Sequence, residues 1–186
     1  MDIALVRGIN VGGHKKIAMA DLRSLLESMG FADVKSLLQS GNLVFRRGDR
    51  TASAAIERAL ETEAAKRLAL DADFFVRTAK EWAAIVDANP FPREARADPG
   101  HLLLMCLKDA PGKARVKALE AAIVGSEVVR ADDRQLYAVF PDGVGTSRLT
   151  TALIERTLGT RCTGRNWNTV LKLHALSASP SRNTKA

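Results

Sequence analysis

The chain passes twice through one order of short apolar segments, and that order limits the folds open to it. Residues 3–7 (IALVR) read as a strand. Met19, Leu22, Leu25, Leu26 and Met29 then recur at helical spacing, and Gly30 stands where a C-terminal cap belongs. Residues 34–39 and 42–46 read as two strands around a tight Ser40-Gly41 turn. Ile56, Leu60 and Leu68 mark a helix over about 51–68, and the Phe- and Val-rich 73–77 reads as a fourth strand. This is βαββαβ, the ferredoxin-like order.

Thr78-Ala79-Lys80-Glu81 is a capping box and opens a connecting helix, which Asn89-Pro90-Phe91-Pro92 ends. Residues 90–100 are polar and proline-containing and read as a linker. The order then restarts. Residues 102–107 form a strand, and Pro111 opens a helix carrying Val116, Leu119 and Ile123. Residues 127–130 and 135–140 form a strand pair. Leu149, Leu153, Ile154 and Leu158 mark another helix, with Thr146 or Ser147 as its N-cap and Gly159 closing it. A last helix over about 165–176 takes the place of a final strand, and a polar, flexible tail follows from 177 to 186. The expectation is therefore an α+β chain of two ferredoxin-like modules, 1–89 and 101–176, the second completed by a C-terminal helix.

Several function classes fall away on composition. No apolar run approaches the roughly 20 residues of a membrane span, and MDIALVRG lacks the basic start and apolar stretch of a signal peptide. The expected location is the cytoplasm, with no membrane partner. Of two cysteines, Cys106 sits in the apolar run LLLMCL, and Cys162 lies between Arg161 and Arg165 with no histidine nearby as a base. Both are expected to pack, and Cys162 is not expected to be a catalytic nucleophile. His14, His101 and His174 are scattered without metal-ligand spacing. No GxGxxG, GxSxG or HExxH occurs, so neither cofactor nor metal is expected.

The strand order brings two glycine-bearing segments together. In a βαββαβ module the first and second strands run parallel and flank the third, antiparallel to both. The loop RGINVGGHKK (7–16) and the hairpin QSGN (39–42) therefore emerge at one end of the sheet. The loop carries three formal positive charges, no acid, and leads into a helix N-terminus, where free backbone N–H groups favour anions. Arg7, Gly8, Asn10, Gly12, Gly13, Lys15, Gln39, Ser40 and Asn42 are the expected ligand-binding residues. Gly8 and Gly13 have phosphate-loop spacing, but His14 stands where Lys-Ser/Thr would complete that motif. Asp71 and Asp73 lie at the same end.

Net charge is +7, concentrated after residue 147, where seven basic residues meet only Glu155. On a helix, Trp167, Val170, Leu171 and His174 share one face and should pack. Arg165, Asn168 and Lys172 fall on another, and with Arg161 form a possible basic face. Nucleic acid is the less favoured partner. The 3–7 strand has no aromatic residue and 42–46 offers only Phe45, whereas base stacking on such a sheet uses aromatics on both.

IALVRGINVGG, QSGN with LVF after it, NPFP, YAVFPDGVG and RNWNTVLKL, in this order, resemble the signature segments of a widespread bacterial domain-of-unknown-function family. The resemblance implies a two-module α+β fold and brings no activity with it. Departures are Leu37-Leu38, where an aromatic-containing pair is usual, and His14-Lys15-Lys16. The leading reading is a module that binds a phosphate-bearing or nucleotide-like anion at the Arg7–Asn42 edge. Two others stay open. One is an enzyme on a phosphorylated or nucleotide substrate, with Asp71, Asp73 or His14 as its base. The other is an interaction protein acting as a homodimer.

Overall fold

The computed structural model describes residues 1–10 and 16–178. The chain divides into two compact units, Met1–Ala84 with the residues from Lys172 onward, and Ile85–Leu171.

The first unit is built from β1 (Asp2–Val6), α1 (Met19–Ser28), β2 (Ala32–Leu37), β3 (Asn42–Arg46), α2 (Ser53–Leu68) and β4 (Phe74–Thr78), with α3 (Ala79–Asp87) after them. The sheet order is β2-β3-β1-β4, antiparallel throughout. Alternate strand residues (Ala4, Val6, Leu43, Phe45, Phe74, Val76) meet Leu22, Leu26, Ile56 and Leu60 of the helices in one core. The sheet's opposite face is buried too, through Ile3, Leu5, Val44 and Phe75. Gly30, at φ 87°, follows α1, and the Phe31 N–H donates back to the Leu26 carbonyl at 3.2 Å, closing the helix. The Thr78–Glu81 box is reciprocal. The Thr78 N–H donates to Glu81 Oε2 at 2.7 Å, and the Glu81 N–H to Thr78 Oγ1 at 3.1 Å. At β4, the Val76 N–H donates to Glu57 Oε1 at 2.7 Å, with the Arg77 guanidinium 3.6 Å from the same oxygen and both side chains buried.

The second unit holds α4 (Pro92–Ala97), β5 (Leu102–Leu107), α5 (Lys113–Ala122), β6 (Val128–Asp132), β7 (Gln135–Val139), α6 (Thr151–Leu158) and β8 (Cys162–Asn166). Its sheet runs β6-β7-β5-β8, again antiparallel, which is the order of the first. Met105, Leu107, Leu119, Leu136, Ala138, Ile154, Leu158 and Cys162 form its core. The two sheets share individual bonds. The Val6 N–H donates to the Gly41 carbonyl and the Leu107 N–H to that of Arg134, at 2.8 and 2.9 Å. The Arg7 N–H donates to the Asp73 carbonyl and the Lys108 N–H to that of Arg161, at 2.9 and 3.0 Å. Arg77 and Arg165 each donate to the carbonyl of the residue before them on the last strand.

The C-terminal helix α7 (Trp167–Ala178) is present, but it does not replace the final strand. Residues 162–166 pair with β5 over five positions, and Asn166 ends the strand by capping the helix. Asn166 Oδ1 accepts from the Thr169 N–H at 3.0 Å and from its hydroxyl at 2.9 Å. Helical spacing carried back through Arg165 therefore overshoots the cap. Trp167 and Val170 are buried as expected, but Leu171 is 42% exposed and Leu173 takes the inner position. Residues 90–100 hold α4. The N-cap of α6 is Thr150, whose hydroxyl accepts from the Leu153 N–H, and not Thr146 or Ser147. The hydroxyl of Thr146 turns back on the Asp142 and Gly143 carbonyls instead. The expected tail begins later than 177, since α7 runs to Ala178; residues 179–186 lie outside the described set. Among the described residues no helix is long and apolar enough to cross a membrane.

Candidate functional site

The loop after β1 and the β2–β3 hairpin meet at one end of the first sheet, as the strand order requires. Three features hold them there. Ile9 is buried in the core. Gly41 has φ +72°, and a Cβ on it would stand 2.8 Å from Ile9 Cδ1 and 2.9 Å from Val6 Cβ. The hairpin can lie over Ile9 only because residue 41 has no side chain. Asn10, itself left-handed at φ 54°, then joins the two segments. Its amide donates to the Gln39 carbonyl at 2.8 Å and to the Ile17 carbonyl at 3.0 Å, and its Oδ1 accepts from the Ile17 N–H at 2.9 Å.

The expected ligand residues divide on this geometry. Asn10 spends its whole amide on closing the loop and fixing the hairpin. Asn42 is fully buried and donates to the Leu37 carbonyl and to Ser40 Oγ, at 2.9 and 3.0 Å, so Asn42 and Ser40 brace the turn from within. Arg7 is part-buried and pairs with Asp73 at 3.6 Å, which engages both the expected anion-binding cation and one expected base. Gly8 is exposed, at φ +66°, with open space where a Cβ would stand. Gln39 is exposed. Gly12, Gly13 and Lys15, with His14, lie outside the described residues.

A recess of about 450 Å³ opens between these segments, lined by Asn10, Lys16, Ile17, Ala18 and Gln39. Among the described residues that line it, Lys16 is the cation and none is acidic. The recess adjoins the start of α1, where Ala18 supplies no side-chain cap, although its carbonyl accepts from the Asp21 N–H at 3.0 Å. Asp21, exposed in the first turn, offsets part of that positive end. The second unit has a recess of about 410 Å³ in the same place, between the loop before α5 and the β6–β7 hairpin. There Lys113 and Lys117 face Asp132 and Asp133, so its charges compensate internally.

The residues read as one basic helical face come from β8, the segment before it and α7. Arg165 stands on β8, half-buried, with its guanidinium donating to Thr163 Oγ1 at 3.0 Å and to the Gly164 carbonyl at 2.8 Å. Burial lowers its pKa to about 10, which leaves it cationic at neutral pH. Arg161 is exposed ahead of β8, and Asn168 and Lys172 are exposed on α7. Cys106 and Cys162 are fully buried.

One arrangement was not anticipated from the sequence. His101 Nδ1 lies 2.6 Å from the Asp98 carboxylate beside an apolar recess of about 440 Å³ at α4. The Asp98–His101 spacing, just after NPFP, was its available signal.

No curated protein matches the chain. Among solved structures, a conserved bacterial protein, SP0830 from Streptococcus pneumoniae, matches with a TM-score of 0.73 at 24% identity, covering 95% of this chain and 97% of that one. At that identity the likeness speaks for the fold, two sheets and a C-terminal helix. The sequence profile of DUF1697, described as a protein of unknown function, matches residues 1–137, and the chain belongs to that family.

Proposed function

We propose that the protein binds a small anionic ligand, phosphate-bearing or nucleotide-like, in the recess between the loop after β1 and the β2–β3 hairpin. The carrying observation is the contrast between the two modules. Twelve residues separate β1 from α1, and only five separate β5 from α5. The β2–β3 hairpin spans four residues between strands and the β6–β7 hairpin two. The second module closes the same sheet order with the shorter connections, so the fold does not require the longer ones. In the first module both extra lengths fall at one end, and Asn10 fastens them to each other.

The chemistry of that end suits an anion. Lys16 supplies a charge, and the start of α1, which has no side-chain cap, supplies N–H groups. In this reading Asn10, Ser40, Gly41 and Asn42 set the shape, while Lys16 and Gln39 face the ligand. Arg165 stands on β8 with its guanidinium engaged by Thr163 and Gly164, which favours a small molecule over nucleic acid.

Native mass spectrometry of the protein purified from its host tests for a retained ligand directly. Titration with inorganic phosphate and with a nucleoside monophosphate, followed by amide chemical shifts, tests the place. Shifts are expected at Asn10, Lys16–Ala20 and Gln39. Lys16→Gln should weaken binding roughly tenfold, the loss of one charge-assisted contact. Shifts confined to α7, or none at all, would reject the reading.

A further inference from the structure

The recess at α4 belongs to the second unit, and its chemistry differs from that of the recess proposed to bind an anion. Its volume, about 440 Å³, falls in the range of small-molecule pockets. Phe91, Ala97, Val139 and Pro141 form apolar walls. Phe91 comes from the NPFP segment and Val139 and Pro141 from YAVFPDGVG, so two segments about 50 residues apart converge there.

His101 stands at the same recess, and its ring is held. The Asp98 carboxylate, 2.6 Å from Nδ1, fixes the tautomer with the proton on Nδ1 and leaves Nε2 as an acceptor. Among the described residues Nε2 has no protein hydrogen-bond partner. Gly143, at φ +90°, leaves space beside it, since a Cβ there would stand 3.8 Å from Nε2. The ring is 44% exposed, so a ligand can reach it. Arg93 and Glu94 at the rim offset each other, and Asp98 is engaged by His101. With His101 neutral, Arg93, Glu94 and Asp98 leave the lining one negative charge in excess, which disfavours an anionic ligand, and the recess offers apolar walls and one directed acceptor.

We propose that this recess binds a one- or two-ring neutral aromatic carrying a single O–H or N–H donor, of phenol or indole type, with the donor meeting His101 Nε2. The walls take the ring, and the oriented imidazole selects the donor. Asp98 acts through His101 as a positioning residue.

Solution NMR of the full chain tests this with four probes: phenol, indole, toluene and benzoate. Phenol and indole should shift the Ala97 and Val139 methyl signals and the His101 ring signals. Toluene, which lacks the donor, should bind about fivefold more weakly, the loss of one neutral hydrogen bond. Benzoate should bind no better than toluene. His101→Phe keeps an aromatic ring and should abolish the preference for phenol over toluene. Asp98→Asn should reduce that preference and leave toluene unchanged. The comparison of probes on the unmodified protein needs no variant, so a folding defect cannot hide the answer. Equal binding of phenol and toluene, a preference that survives His101→Phe, or no shifts at these residues up to the solubility of the probes would overturn the proposal.

Discussion

Asn10 and Gln39 stand 29 residues apart in the chain and are joined by a 2.8 Å hydrogen bond from the Asn10 amide to the Gln39 carbonyl. The same side chain exchanges two hydrogen bonds with the backbone of Ile17. One amide thus closes a loop and fixes that loop against a hairpin. Asn10→Ala would leave these backbone groups unmet in a part-buried setting and put a Cβ residue without a polar side chain at φ 54°. The expected loss is about 2–3 kcal/mol, read from urea unfolding. Asn10→Gly relieves only the dihedral and should recover a minor part. If Asn10→Gly unfolds at the same urea concentration as the unmodified protein, the three bonds contribute nothing.

Gly8 and Gly41 separate two uses of one residue type. Both have positive φ, but only Gly41 is also crowded, by Ile9 and Val6. Gly8→Ala carries the dihedral cost alone, about 1–2 kcal/mol. Gly41→Ala adds overpacking against the core, for about 2–4 kcal/mol in all. Thermal unfolding of the two variants side by side checks the order. Equal losses would mean that the hairpin shifts away from Ile9 at little cost.

Most of the order of elements was legible because most strands and helices carry their own period, and Gly30, Gly159 and the Thr78–Glu81 box mark ends by local chemistry. The meeting of loop and hairpin followed from strand order alone. Side-chain duties were less legible. Asn10 and Asn42 have the groups of ligand residues, but their partners are carbonyls that only the folded backbone brings near. Arg7 meets Asp73 across 66 residues. Strand β8 was missed because CTGRN has a glycine, no aliphatic alternation, and a tryptophan helix directly after it. Its strand character comes from pairing with β5. Leu171 misled because it lies four residues after Trp167, whereas the buried stripe is centred on Val170 and continues three residues on to Leu173.

Trp167 is 3% exposed, and its ring centroid lies 6.3 Å from that of Tyr137 in a tilted arrangement. Trp167→Ala should cost about 3–5 kcal/mol. Leu171→Ala, on the exposed side of the same helix, should cost less than about 0.5 kcal/mol. Chemical denaturation of both variants measures the contrast. A loss near zero at Trp167 would mean that the ring is dispensable to the start of α7.

The chain has a single tyrosine, Tyr137, so its ionisation can be followed without overlap from another phenol. Its hydroxyl donates to the Ile85 carbonyl at 2.7 Å, and the side chain is almost wholly buried. Burial, with smaller contributions from Asp132 and Cys106, pushes its pKa well above the ordinary value. The folded protein therefore favours the neutral phenol. Its contribution to stability is fully present below the unfolded pKa of about 10, and it is lost as pH rises through the higher folded value. No phenolate absorbance should appear at pH about 10 while the protein remains folded, and the signal should rise together with alkaline unfolding. Tyr137→Phe leaves the Ile85 carbonyl without its donor, costs about 1–3 kcal/mol at neutral pH, and makes the alkaline decline shallower. The two proteins differ only at residue 137, so the comparison between them isolates the phenol. A reversible phenolate step near pH 10 in the folded protein would show that water reaches Tyr137 and would remove the basis for both expectations.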